Sequence, residues 1–422
     1  MRLLICLLLL LSCLCWIGCT TNETTSCNCD DDAVDDDTTD DDTTDDDATD
    51  DDAQPTPVVS APQIIVPADN LPPEVVDQHA NNNLDIVEHE GRLFFAFRTA
   101  PTHFASRKAT MYVLSTVDQK TWDFEASFNE DKDVRECRFL SWNGRLFLYF
   151  AVLGTNPFAF EPGGMMVSER LGPGDWTKEQ YFYGEGFIPW RTKVIDDTPY
   201  MLTYVGGAAI YSLHPKPIEV HWLTTTDGYN WEAVVPGQPV VLLGGASETD
   251  FVFLDDGSLI AVARNEDGDA SGFGSKICRA AADDLGHWQC VNDRRKYDSP
   301  LLFRHGSHIY LIGRRNVTAD GYYDLGYDTL APALQHLIYE LAFWIAPKRT
   351  SLWEVNPDTL EVSFVLDLPS RGDTSFAGRV PLSDDTDLIY NYTSPLDGPD
   401  YFWLWGQLHP TEIYAVTFTY PK

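Results

Sequence analysis

Thr225-Thr226-Asp227-Gly228-Tyr229-Asn230-Trp231 reads as a polar hairpin turn closed over a tryptophan. Asp and Gly shape such a turn, hydroxyl and carboxylate oxygens bond its backbone, and Trp packs beneath it. Residues 115–122 and 282–288 are further copies, and 168–176 is a looser one. Trp122, Trp176, Trp231, Trp288 and Trp353 recur at steps of 54, 55, 57 and 65 residues. Self-similarity at such a period marks a repeat architecture.

A second hairpin precedes each of these turns. Its copies are 84–98 around Gly91, 137–151 around Gly144, 191–204 around Asp197, 250–264 around Gly257, 301–314 around Gly306, and 376–392 around Asp385. Alternation with period two and β-branched or aromatic residues mark the strands. Two hairpins per repeat make a four-stranded antiparallel blade, so six copies predict an all-β, six-bladed β-propeller over residues 61–422. Residues 64–66 are expected to complete the last blade beside 413–418. Residues 318–347 interrupt the period in blade 5. There Leu330, Leu334, Leu337, Ile338, Leu341 and Ile345 fit a helical face, packed on the propeller flank or closing over its central pocket.

The ends bound the compartment. Arg2 and the apolar run 3–16 form a leader of signal-peptide length, and Ile17-Gly18-Cys19 ends it in the manner of a bacterial lipoprotein signal. This predicts a signal peptide over 1–19, lipidation at Cys19, and an exported outer-membrane or cell-surface body. An ordinary cleaved leader is the alternative. Residues 20–60 read as a disordered tether, because 30–52 hold 15 Asp and no Lys or Arg, and such a run repels itself and has little to bury. Removing those carboxylates from the net charge of −36 leaves −21. An acidic body excludes nucleic acid as the expected partner. Cys278 and Cys290 flank one hairpin and predict a disulfide. No cysteine spacing suggests zinc, and nothing demands a metal or organic cofactor. The body is expected to be monomeric, touching membrane through the lipid alone.

The turn-and-Trp copies resemble the Asp box of sialidases and related proteins, Ser-x-Asp-x-Gly-x-Thr-Trp. The copy at 225–231 keeps the Asp-Gly pair and the others are degenerate. The resemblance covers roughly residues 80–420 and implies the six-bladed sialidase-like propeller.

Chemistry is expected where the first-hairpin strands reach one mouth of the central channel. Their second-strand ends read Arg98, Arg264, Arg314 and Tyr392. Their first strands open with Asp133 and Arg138, Arg191, Glu248 and Asp250, Asp298, and Asp373. Arginines gathered at one mouth of an acidic protein predict an anion site, since guanidinium forks bind carboxylates. The competing reading pairs each arginine with a carboxylate of a neighbouring blade.

The order Arg98, Glu248, Arg264, Arg314, Tyr392 resembles the sialidase plan. That plan implies an arginine cluster on the sugar carboxylate, Tyr392 as nucleophile raised in reactivity by Glu248, and an acid/base carboxyl. Asn81-Asn82-Asn83 stands where the family has its first-blade arginine, and no Asp follows Arg98, so His103 is the nearest substitute for the acid/base. Asp250, Asp298 and Asp373 complete the candidate set. The leading function is glycan recognition with hydrolysis of glycosidic bonds. A non-catalytic surface propeller binding glycan or protein is the second. A five-bladed furanosidase-type glycosidase using Asp133, Glu248 and Asp298 is the third.

Overall fold

The computed structural model describes residues 56–207, 210 and 216–421. The leader, Cys19 and most of the tether lie outside the described residues.

Six antiparallel sheets follow one another along the chain. Blade 1 is Ala80–His89, Arg92–Ala100, Thr110–Thr116 and Asp123–Phe128. Blade 2 is Asp133–Trp142, Arg145–Leu153, Pro162–Gly172 and Asp175–Trp176, with Gln180–Glu185 added to its third strand. Blade 3 is Ile188–Ile195, Thr198–Val205, Ile218–Thr225 and Trp231–Ala233, with Val240–Gly244 likewise added. Blade 4 is Ala246–Phe253, Leu259–Asn265, Ser275–Ala280 and Gln289–Asp293. Blade 5 is Asp298–His305, His308–Asn316, Lys348–Val355 and Val362–Asp367. Blade 6 is Ser375–Ser383, Thr386–Thr393 and Glu412–Thr419. Its outer edge is supplied from the other end of the chain: Gln63–Val66 and Val58–Val59 both pair with Glu412–Thr419. The fold is therefore the all-β, six-bladed propeller with four-stranded antiparallel blades at its core. Six blades exclude the five-bladed furanosidase architecture.

Radial packing covers both faces of a blade, so strands run apolar without alternation. Leu93-Phe94-Phe95-Ala96-Phe97 is buried throughout. Phe94, Phe139, Leu148 and Phe150 fill the seam between blades 1 and 2, and Val262, Leu302, Leu311 and Trp353 that between blades 4 and 5.

The Asp-box turns close the outer hairpins. Asp227 accepts the amides of Tyr229 and Asn230 (2.8 and 2.7 Å), and those bonds hold its carboxyl down at about 2. Gly228, at φ 81°, lies against the Phe147 ring, so a side chain would be strained there and would strike the neighbouring blade. In the degenerate copy Asp118 bonds Lys120 and Thr121 in the same way, while Gln119 takes the left-handed place at φ 56°.

Cys278 and Cys290 lie opposite each other on blade 4, with Cα atoms 4.0 Å apart, and are joined as a disulfide. Opening this loop by Cys290→Ser is expected to cost about 3 kcal/mol of stability. Urea unfolding with and without reductant measures it, and an unchanged midpoint would refute it.

Between the second and third strands of blade 5 lies the helix Pro332–Trp344. Its buried face is Gln335, His336, Tyr339, Glu340 and Phe343, while Leu334 and the following Ile345 are exposed. The apolar face read from the sequence thus packs only in part, Ile338 joining the buried cluster while Leu330, Leu337 and Leu341 are half-buried. The helix is held by an aromatic cluster with Phe273 and Tyr323 and by the ion pair of Glu340 with Lys296 (2.9 Å).

Candidate functional site

All six inner strands begin at the same end of the channel, called here the strand-start mouth. Every one carries a register shift in its first residues. In four of them a non-glycine residue takes positive φ: Asn83 (49°), Glu136 (56°), Ser299 (55°) and Phe376 (61°). A bulge of this kind re-aims side chains and is costly for a residue with a Cβ. Repeated around the ring, it turns polar side chains into the mouth.

Three charged groups result. In the first, Arg98 bonds Asp133 through Nε and Nη2 (3.0 and 2.7 Å), and donates to Asn82 Oδ1 (3.2 Å) and the Phe104 carbonyl (3.1 Å). Arg135 holds the other Asp133 oxygen through Nε (2.6 Å). In the second, Glu248 accepts the Ser299 amide (2.6 Å) and pairs with Arg264 (2.7 Å). Arg264 also pairs with Glu266 (2.7 Å), which reaches Lys296 (3.4 Å) and through it Glu340. In the third, the Tyr392 hydroxyl donates to Asp373 Oδ1 (3.0 Å) and accepts from Arg314 Nη2 (3.3 Å). His103 Nδ1 donates to Asp373 Oδ2 (2.7 Å), and Trp403 Nε1 donates to Oδ1 (3.0 Å). Arg314 further pairs with Asp298 (2.9 Å) and lies under the Trp403 ring.

These environments set the proton affinities. Burial pushes the Glu248 carboxyl up to about 7, against the pull of Arg264, with Asp298 and Glu136 adding to the rise. Burial also raises Glu136 above its ordinary value, opposed by Arg135, Arg138 and Arg264. Asp373 goes the other way: burial would raise it, but His103, Arg314 and Tyr392 hold it below its ordinary value. Burial and Asp373 push the Tyr392 phenol well up, and burial lowers His103. Burial alone would lower Arg314, yet Tyr392, Asp298 and Asp373 carry it above its ordinary value.

The sequence reading is corrected in two respects. Glu248 and Tyr392 share no hydrogen bond; Asp373, from the loop before blade 6, is the carboxylate on the tyrosine. The phenol is a donor to a strongly stabilised anion, which holds its proton rather than removing it. Nor do the arginines frame an open anion pocket. Arg98 is matched by Asp133, Arg191 by Asp250 (3.5 Å), Arg264 by Glu248 and Glu266, and Arg314 by Asp298. A buried guanidinium without a counter-charge is costly, and the neighbouring strands supply one each time.

Deeper in the channel, Asp250 accepts the amides of Phe251 (2.7 Å) and Leu302 (2.6 Å) and pairs with Lys193 (2.7 Å), tying blades 3, 4 and 5 together. Arg138 is buried against the Trp190 and Phe376 rings and donates to the Trp190, Leu84 and Cys137 carbonyls. Asp250 and Arg138 therefore sit within the scaffold, away from the mouth.

Glu136 and Asn83 were not among the site residues expected from the sequence, and Trp403 takes a place beside them at the mouth. Glu136 stands one residue past Arg135, and its left-handed backbone, which turns it toward Arg264 and Glu248, leaves no mark in the hydrophobic pattern. With its amide turned so that the nitrogen faces the carboxyl, the better-satisfied orientation, Asn83 donates to both Glu136 oxygens (3.0 and 3.1 Å). Trp403 caps Asp373 and Arg314 from the loop 395–411, which also carries the exposed Phe402 and Trp405.

No protein-family model and no curated protein matches the sequence. Solved structures do match in fold. A protein of unknown function from Dyadobacter fermentans aligns at 13% identity over 81% of this chain and 95% of its own, with a TM-score of 0.57. Trypanosoma rangeli sialidase in complex with sialic acid aligns at 13% identity over 80% of this chain, TM-score 0.51. This chain spans about half of that one (54%). The phage phi92 endosialidase aligns at 11% identity over 82% of this chain and 68% of its own, TM-score 0.52. The chain thus shares its six-bladed propeller fold with these sialidases.

Proposed function

We propose that this protein recognises glycans at the strand-start mouth and hydrolyses glycosidic bonds there, with Glu248 as the proton donor. The observation that carries the proposal is the Glu248 carboxyl, raised to about 7 beside Arg264 with a second raised carboxyl, Glu136, close enough to add to the shift. A carboxyl that keeps its proton near neutrality protonates a leaving oxygen, and a second carboxylate serves the anomeric carbon or the attacking water. The glycosidic C–O bond breaks, the leaving oxygen takes the Glu248 proton, and water supplies the new hydroxyl while its other proton passes to the second carboxylate. In this reading Asp373, His103 and Tyr392 position one wall of the mouth, and exposed Trp405 offers a face on which a sugar ring stacks. The leader with Cys19 makes the protein an exported, lipid-anchored one, and the disulfide supports an oxidising compartment.

Release of fluorophore from a panel of aryl glycosides, sialosides included, tests this. Hydrolysis by the wild type that Glu248→Gln loses by at least about a hundredfold is expected. Binding of glycans with no release from any member would instead favour a non-catalytic recognition propeller. The observation behind that second reading is the enclosure of Tyr392, Asp373 and Arg314 under Trp403.

A further inference from the structure

The opposite end of the channel, where the inner strands run into their hairpins, holds a cavity of about 840 Å³. That is the size of a small-molecule site. Four cationic side chains line it, Arg191, Lys193, Arg304 and Arg379, in a body that is strongly acidic overall. Tyr200 and Phe253 stand in its wall, both partly exposed.

The cations differ in what they can still bind. Lys193 gives its hydrogens to the Phe251 and Leu302 carbonyls (2.6 and 2.8 Å) and to Asp250 (2.7 Å). Arg379 is held by the buried Asp387 (2.7 Å). These two supply fixed positive potential. Arg191 donates through Nη2 to the Pro300 carbonyl (2.8 Å), but its buried Nε has no hydrogen-bond partner among the described residues, Asp250 lying 3.5 Å away. Arg304 is bound by Asp255 (2.7 Å), whose side chain is 88% exposed. Such a solvated rim pair is weak and exchanges readily for a better-placed anion.

Carboxylates line the cavity as well. Asp196 and Asp255 are exposed at the rim. Asp85 faces inward and accepts the Phe139 amide (2.8 Å), and burial raises its carboxyl above its ordinary value against the pull of Arg138 and Arg191.

We propose that this cavity is a second binding site, at the far end of the channel from Glu248, for a small carboxylate-bearing molecule with one apolar face, of the acidic-monosaccharide class. The carboxylate takes the Arg304 fork in place of Asp255. The ring lies against Tyr200 and Phe253. Arg191 Nε at the floor donates to a hydroxyl or carboxylate oxygen.

Calorimetric titration of the full chain with glucuronate, and with glucose as the uncharged control, tests the site. Glucuronate is expected to bind at least about tenfold more tightly than glucose, with an affinity that falls as salt rises. Arg304→Gln, a change at a partly exposed position, is expected to weaken glucuronate by about tenfold or more. Glu248→Gln, at the other mouth, leaves it unchanged. Equal affinity for glucose and glucuronate overturns the proposal, as does no binding of glucuronate at all. Loss of binding in Glu248→Gln with retention in Arg304→Gln assigns the ligand to the strand-start mouth and overturns it too.

Discussion

Replacing Asp133 with alanine is expected to lower the free energy of unfolding by about 3–5 kcal/mol. Arg98 ends the second strand of blade 1 and Asp133 opens blade 2, so their bond spans a seam between blades. Both side chains are wholly buried. Burial pushes the Arg98 pKa down and Asp133 pulls it back, which measures how strongly the site resists a lone cation. Without the carboxylate, Arg98 would keep only the Asn82, Thr102 and Phe104 oxygens in a buried seam beside the Arg135 cation. Among the described residues Glu136 acts on Arg98 through its field but makes no ion pair with it, so it does not replace the paired Nε and Nη2 contact that Asp133 gives. The double variant Arg98→Met with Asp133→Leu is expected to recover most of the loss, because removing both charges removes the desolvation cost with them. Urea unfolding of the three proteins measures this. A loss below about 1 kcal/mol in the single variant would mean that the pair is solvated, and the account of the seam would fall.

Glu248→Gln should flatten the pH dependence of stability between about 4.5 and 7, by about 3 kcal/mol across that window. The sign follows from where the proton resides. An unfolded glutamate ionises near 4.5, whereas in the fold burial holds the proton to about 7. Within the window the native state binds a proton that the unfolded chain has released. The contribution to stability is therefore full below 4.5 and is lost as pH rises through 7. A glutamine has no such term, so the difference in unfolding free energy between variant and wild type shifts toward the variant as pH rises. Arg264 keeps Glu266 as a partner in the variant, which limits the direct damage. Parallel denaturation curves at pH 5 and pH 8 decide it, and a difference that does not move with pH would place the Glu248 carboxyl in an ordinary, hydrated setting. In the hydrolysis assay the same group predicts activity that falls above pH 7 as the donor loses its proton.

The scaffold was legible because its signals are local. Gly91, Gly144, Gly257 and Gly306 mark inner hairpins, and the strands between them alternate or run apolar according to the faces they cover. The tryptophan turn is legible even where its glycine has gone, since Asp118 and Thr116 still bond the backbone. The charged residues at the strand ends were read as one ring around a mouth, whereas Arg138 and Asp250 lie within the scaffold, Arg191 lines the cavity at the opposite end, and the others take partners that the chain order does not suggest. Which way Glu136 or Ser299 points depends on a left-handed bulge that changes no hydrophobic period. Tyr392 drew its carboxylate from position 373 rather than 248, a choice made by a loop's path and by Trp403. The helix misread has the same root: a buried Glu340–Lys296 pair outweighed the leucines that the periodicity favoured. Ionic partnerships across blades are long-range, and neither propensity nor spacing encodes them.

The seam of blade 6 also sets a clock. Val58 pairs with Thr419 and Gln63 with Ala415, so the ring is fastened by residues at opposite ends of the chain. Contacts of such sequence separation are the slowest to form, because loop closure must precede any reward from pairing. On a chain emerging amino end first, the fastening strand is made before blade 1 and its partner after blade 5. Blades 1 to 5 can each zip their own hairpins during synthesis, yet an unpaired edge persists on either side until Glu412–Thr419 arrives. Closure of the propeller thus waits on the whole span from Val58 to Thr419, and the interval before it is the time in which the chain is still pliant enough to be threaded or captured.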